Sequence, residues 1–232
     1  LKPNDFPERD GTQPAPAANA TDKIGKYQVV KELGKGATSA VYLAHDPFAN
    51  RKVALKVVQR DVLGDREHGK RFRKLFLTEA SLVGKLSHPH IVAIYDAVAD
   101  EEGSYIVMEY VEGGTLEQHT KIDNLLPINK VIEIVFKCCK ALDYAHRHGV
   151  IHRDIKPANI LLSKDTDIKI SDFGAALTVA SETTQVTGIG SPAYMSPEQV
   201  QEHQLTHQTD IFSLGVVMYQ MLTGSLPFKA TN

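Results

Sequence analysis

The chain has no strong excess of either charge: 26 Lys and Arg stand against 28 Asp and Glu, a formal net charge of −2. That balance gives no reason to expect a nucleic-acid or membrane-surface binder, which needs a basic face to meet phosphates. The densest positive run, Lys70, Arg71, Arg73 and Lys74, is interleaved with Phe72, Leu75, Phe76 and Leu77. It reads as the solvated face of an amphipathic helix. Cysteine is scarce, and the two present, Cys138 and Cys139, are adjacent. Neighbours within a helix do not meet disulfide geometry, and no metal-ligand spacing accompanies them. Two reduced thiols suit a reducing cytoplasm. No apolar run reaches the roughly 18 to 20 residues of a membrane span, no secretory leader pattern is visible, and no internal repeat appears.

At 232 residues and 42% hydrophobic, the chain can build one large domain or two small lobes around a cleft. Residues 1–23 carry Pro3, Pro7, Pro14 and Pro16 among Ala, Asn, Asp and Thr. This Pro/Ala-rich segment has too little apolar surface to offset the entropy of ordering, so a flexible arm is expected. Strand signals begin at Tyr27. The runs 27–33, 40–44 and 52–58 are short, rich in β-branched residues and separated by turn chemistry. A helix is predicted over about 70–86, stopped by His88-Pro89, and two more strands over 91–97 and 104–109.

From Ile128 the pattern changes. Val131, Val135, Cys138, Leu142 and Ala145 recur at helical spacing as one buried stripe. Short strands are predicted at 160–162 and 168–170. A last helix over about 210–222 would bury Ile211, Leu214, Val217, Met218 and Met221, with Gly224 as its stop. A sheet-rich N-terminal lobe and a helical C-terminal lobe follow, with room for a nucleotide-sized cleft between them.

The loop between the first two of these strands is Gly34-Lys-Gly36-Ala-Thr-Ser39-Ala-Val41. Two glycines two apart let a hairpin lie close over a polyphosphate, because no Cβ blocks the backbone amides. In Val53-Ala54-Leu55-Lys56-Val57, alternation places Ala54 and Lys56 on one face. A small residue beside a lysine under the glycine loop suits a flat base next to a phosphate.

These two segments resemble the first signatures of the protein kinase family. The resemblance implies Lys56 on the α- and β-phosphates and Val41 and Ala54 against adenine; the family's third glycine is Ser39 here. It also implies a helix glutamate pairing with Lys56. Glu79, inside the amphipathic stretch, is chosen over Glu67, which lies in the Gly-rich cluster 64–69 read as a turn.

Val150-Ile-His152-Arg153-Asp154-Ile-Lys156-Pro-Ala-Asn159-Ile-Leu161-Leu places a dense polar cluster between apolar flanks, a costly arrangement near a core. It resembles the kinase catalytic loop almost residue for residue. Carried over by position, Asp154 orients the substrate hydroxyl and accepts its proton, Lys156 stabilises the moving phosphoryl group, and Asn159 binds a metal ion. Lys156, two residues after the aspartate, is similar to the serine/threonine-specific members. Leu161 would pack beneath adenine. Asp172-Phe173-Gly174 resembles the family's metal-binding triplet, with Asp172 a ligand for magnesium (or manganese).

The same resemblance makes Met108 the gatekeeper and assigns backbone groups of Glu109 and Val111 to adenine. It reads Asp210 as the brace of the catalytic loop, and Ser196-Pro-Glu198 with Gly190–Tyr194 as protein-substrate machinery. Thr178, Ser181, Thr183, Thr184 and Thr187 lie between Asp172 and Glu198, and Arg153 precedes the catalytic aspartate. Autophosphorylation is therefore expected on Thr183, Thr184 or Thr187. The runs Glu112-Gly-Gly-Thr-Leu and Ser196-Pro-Glu-Gln resemble bacterial members.

The expected class is α+β, a two-lobed protein-kinase-like fold with a small antiparallel-sheet N-lobe (about 24–109) and a helical C-lobe (about 112–232). The family's later C-lobe helices, including the arginine partner of Glu198, have no counterpart in this sequence. The implied function is serine/threonine protein kinase, with ATP and Mg²⁺ (or Mn²⁺) as cofactors and protein hydroxyls as acceptors. Self-association for trans-autophosphorylation and a cytoplasmic location, with any membrane anchor lying outside this sequence, complete the expectation. The readings weighed against it are a pseudokinase scaffold, opposed by intact Lys56, Glu79, Asp154, Asn159 and Asp172, and a small-molecule phosphotransferase, opposed by the substrate-docking segment.

Overall fold

The computed structural model describes residues 23–36, 39–58, 66–100, 103–163, 167–173 and 192–228, with the side chains of 66–72, 75 and 79 left out. Among these residues an antiparallel sheet runs in the order β1-β2-β3-β4-β6-β5: Lys23–Ile24, Tyr27–Lys35, Ser39–Asp46, Arg51–Val58, Ser104–Glu109 and Ile94–Ala99. Period-2 alternation sorts its side chains. Val53 and Leu55 are fully buried with Tyr27, Ala44 and Val107 on one face. Ala54 faces the opposite way, in a cluster with Phe76 and Ala80 of helix α1 (Arg66–Val83).

The helix begins earlier than the sequence suggests. Glu67 lies in its first turn rather than in a loop, because a helix start tolerates polar and small residues when its later turns are held by burial of Phe76, Ala80 and Val83. It also ends at Val83, ahead of His88-Pro89, where Gly84 N–H closes on Ala80 O at 2.8 Å. The strand expected from Ile91 starts at Ile94. Ile91 instead forms a single parallel bridge to Ile170, and Val92 N–H donates to Ile170 O at 2.9 Å. Segment 90–93 thereby touches both lobes.

Helix α2 (Ile128–Arg147) buries Val131, Ile134, Cys138, Ala141, Leu142 and Ala145. Its buried face packs on the small sheet β7-β8-β9 (Gly113–Thr115, Ile160–Ser163, Ile168–Ile170) and on α4 (His207–Thr223) in one core. Helix α4 is capped by Thr206, whose hydroxyl accepts from Gln208 N–H, and stops at Gly224, φ 70°. Its buried face differs from the one predicted. Leu214, Val217 and Met221 are inside, but Ile211 and Met218 are 51% and 37% exposed, and Thr209, Asp210 and Ser213 are buried in their place. Hydrophobicity alone does not give this face, because the helix turns Asp210 toward the amides of His152 and Arg153, and Thr209 and Ser213 toward Glu198 and the Tyr194 carbonyl. A short helix, α3 (Pro197–Val200), precedes it.

Candidate active site

Strand β4 carries Lys56 from the upper sheet, in register with Val41 of β3 and Ile106 of β6. Its Nζ reaches Asp172 Oδ1 at 2.5 Å, a contact across the cleft between the lobes. Burial pushes the Asp172 carboxyl up, but the charge and hydrogen bond of Lys56, with the charges of His152 and Lys156, outweigh it and hold the group below the usual carboxylate range. Asp172 takes φ 61°, unusual for a residue with a Cβ.

The loop after α2 holds a second polar group. Lys156 Nζ donates to Asp154 Oδ2 at 2.7 Å, and Asn159 Nδ2 donates to the same oxygen at 3.0 Å and to Asp154 O at 2.8 Å. Beneath it, buried Asp210 accepts from His152 N–H at 2.9 Å, Arg153 N–H at 2.8 Å and His146 Nε2 at 2.8 Å. Desolvation raises the Asp210 carboxyl, yet these donors and the charge of His152 keep it below the ordinary carboxylate value. His152, also buried, spans to Ser171 O through Nε2 at 2.8 Å and packs against Phe173, ring centroids 4.6 Å apart and planes tilted by 57°. The 152–159 loop and the segment entering Asp172 are thus fastened together.

The residues expected against adenine converge. Val41, Ala54, Met108, Val111 and Leu161, drawn from both lobes, share one apolar cluster. Ala54 and Met108 are directly paired across β4 and β6. Glu109 N–H is taken by Ala93 O at 2.8 Å, and its carboxylate accepts from Lys169 Nζ at 2.9 Å. That N–H is therefore already paired within the protein. Gly34 pairs with Val41, and Gly36 N–H closes the hairpin on Ser39 O at 2.8 Å. The Glu79 side chain lies outside the described residues, as do Gly174 and the loop hydroxyls from Thr178 to Thr187.

Residues outside the sequence motifs also contribute. His146 and Lys169 carry no local signal. Gln199 does: Ser196-Pro-Glu-Gln199 has capping-box spacing, and both reciprocal bonds are present. Glu198 accepts from Thr209 Oγ1 at 2.8 Å. Among the described residues no helix is long and apolar enough to cross a membrane.

Comparison with known proteins agrees with this geometry. Residues 27–232 match the family model for the protein kinase domain. The chain is 40% identical over 210 residues to the serine/threonine-protein kinase PrkC of Bacillus subtilis, covering 90% of this chain and 32% of that protein. It is 42% identical over 210 residues to the serine/threonine-protein kinase PknB of Mycobacterium leprae, covering 88% and 33%. It thus spans about a third of the length of these curated relatives. The crystal structure of the Mycobacterium tuberculosis PknI kinase domain superposes with a TM-score of 0.73 at 31% identity, covering 91% of this chain and 80% of that one. Two lobes joined through the 90–93 segment, a lysine–aspartate pair across the cleft and the Asp154–Lys156–Asn159 group come with a family match over most of the chain, which belongs to the protein kinase domain family.

Proposed function

We propose that this chain is a serine/threonine protein kinase acting on protein hydroxyls, its domain running from about residue 24. The observation that carries the reading is the meeting of Lys56–Asp172 from the two lobes with the Asp154–Lys156–Asn159 cluster.

The residues present suit a nucleotide and a divalent cation. Among the described residues, a Cβ on Gly34 would meet nothing within 4 Å, and one on Gly36 would make only ordinary contact, 3.6 Å from Ser39 O. The protein's own packing does not demand glycine there; close approach of a phosphate chain does. The apolar cluster of Val41, Ala54, Met108, Val111 and Leu161 offers two faces for a flat base. Asp172 is held ionised, and Asn159, having committed its Nδ2, keeps an amide oxygen, the ligand types Mg²⁺ or Mn²⁺ takes.

When bound, ATP and its metal ion supply the γ-phosphoryl group and neutralise the polyphosphate. Lys56 would hold the α- and β-phosphates, with Glu79 its helix partner. Asp154, its Oδ2 occupied by Lys156 and Asn159, offers Oδ1 to orient a serine or threonine hydroxyl and take its proton. Lys156 keeps a positive charge beside the transferring group. Autophosphorylation on Thr183, Thr184 or Thr187, in trans through self-association, belongs to the same reading.

Peptide mass spectrometry after incubation with ATP, magnesium and a protein acceptor tests it, beside Asp154→Asn. Phosphate on acceptor and loop threonines is expected with the unmutated chain, and at least about 100-fold less with the variant. Equal incorporation by both, or transfer only to small hydroxyl compounds, would refute the reading.

A further inference from the structure

The backbone of the Asp154 loop is held group by group. His152 and Arg153 N–H go to Asp210, Asp154 N–H goes to His152 Nδ1 at 3.2 Å, and Asp154 O accepts from Asn159. One polar group at its centre, the carbonyl of Arg153, is met from elsewhere. Gln199 Nε2, from α3, donates to it at 2.8 Å. The other end of the same amide accepts from Ser196 N–H at 3.1 Å, while Ser196 Oγ accepts from Gln199 N–H at 3.4 Å. These neighbours fix the amide's orientation, since a backbone N–H can only donate and a backbone carbonyl can only accept.

We propose that Gln199 is a positioning residue for phosphoryl transfer, its amide locking the Arg153–Asp154 peptide to the N-terminus of α3. Arg153 takes φ 68°, a left-handed conformation that a residue with a Cβ holds only when its surroundings impose it. Asp210 fixes the N–H side of Arg153 and Gln199 fixes its carbonyl side. Release of the carbonyl lets that peptide plane turn, and the Asp154 carboxylate moves with it. Placement errors of this kind cost turnover rather than nucleotide affinity. The proposal rests on the reading of Asp154 as the group that receives the hydroxyl.

Glutamate separates the two jobs of this side chain. It serves equally well at the third position of a capping box, so Gln199→Glu keeps the bond to Ser196 while turning a second oxygen toward the Arg153 carbonyl. Gln199→Met loses both bonds. With the full chain, Gln199→Glu is expected to lower kcat about tenfold at pH 8, the loss of about one well-placed hydrogen bond. KM for ATP should stay within about twofold and Tm within about 6 °C. The kcat ratio of this variant to wild type should then rise as the pH is lowered toward the ordinary glutamate range, about 4–5, because the protonated carboxyl regains a donor. Gln199→Met should stay low at every pH.

Amide hydrogen exchange provides a readout independent of turnover: residues 152–155 should exchange faster in Gln199→Glu while 197–201 do not. Wild-type kcat in Gln199→Glu across the pH range, or unchanged exchange at 152–155, overturns the assignment. A wild-type chain that transfers no phosphate overturns the kinase reading instead, and exchange still decides the role of Gln199.

Discussion

Removing the Asp210 carboxylate should destabilise the fold more than any surface change, by an amount the structure sets. The side chain is fully buried, and its two oxygens satisfy two backbone N–H groups and His146. Asp210→Ala strands both buried N–H donors, each costing about 1–3 kcal/mol. It also leaves His146 without its acceptor, and breaking a buried charged network typically costs about 3–5 kcal/mol. Asp210→Asn keeps one acceptor but must point its NH₂ at one of the two N–H groups, so about 2–3 kcal/mol is expected. Urea denaturation followed by far-UV circular dichroism measures both. At about 2–4 °C per kcal/mol for a domain of this size, Asp210→Ala should also lower Tm by about 6–20 °C. The pH dependence follows from the depressed carboxyl. A group held below its unfolded value of about 3.9 contributes fully above that value and loses its contribution as the pH falls through the folded one. The carboxyl's own contribution to the gap between wild type and Asp210→Asn should therefore be complete above about pH 4 and shrink only below it. A loss under about 1 kcal/mol for Asp210→Ala would refute the account of the brace.

Gly113→Ala should cost about 1–3 kcal/mol in the same denaturation assay, since an added Cβ would meet backbone atoms, Leu162 O first, in the β7–β8 pairing; a neutral effect would show that the strand can yield. The adjacent thiols should differ sharply. Burial, with a smaller effect of Cys139, pushes the Cys138 thiol up to about 12, whereas Cys139 is exposed. A disulfide reagent at about pH 8 should label one thiol in the native protein and the second only on unfolding; two thiols labelled at one rate would contradict the burial of Cys138.

Much of the architecture was legible because short-range chemistry writes it. Alternation in Val53–Val57 put Ala54 and Lys56 on one face, and that is how β4 sits. The strands 104–109 and 168–170 carry their own boundaries. The helix at 128–147 announces itself by a stripe whose members Val131, Cys138, Leu142 and Ala145 are buried. The limits appear where local and tertiary preferences compete. Glu67 stands among glycine-rich, polar residues yet belongs to α1, and Ile211 and Met218 are apolar yet exposed, since α4 gives its inner face to Thr209, Asp210 and Ser213.

The sequence by itself determined the elements, the family resemblance and which residue types are gathered in the 150–162 and 168–174 segments, because each depends on spacing along a continuous stretch. Tertiary structure decided which distant groups meet: Lys56 with Asp172, 116 residues away, His146 and two loop amides on Asp210, Glu109 on Lys169, and Gln199 on the Arg153 carbonyl. Such pairs leave no periodic trace. They form because buried donors and acceptors must each find a partner, and which partner is in reach depends on how the two lobes and helices α2, α3 and α4 close on one another.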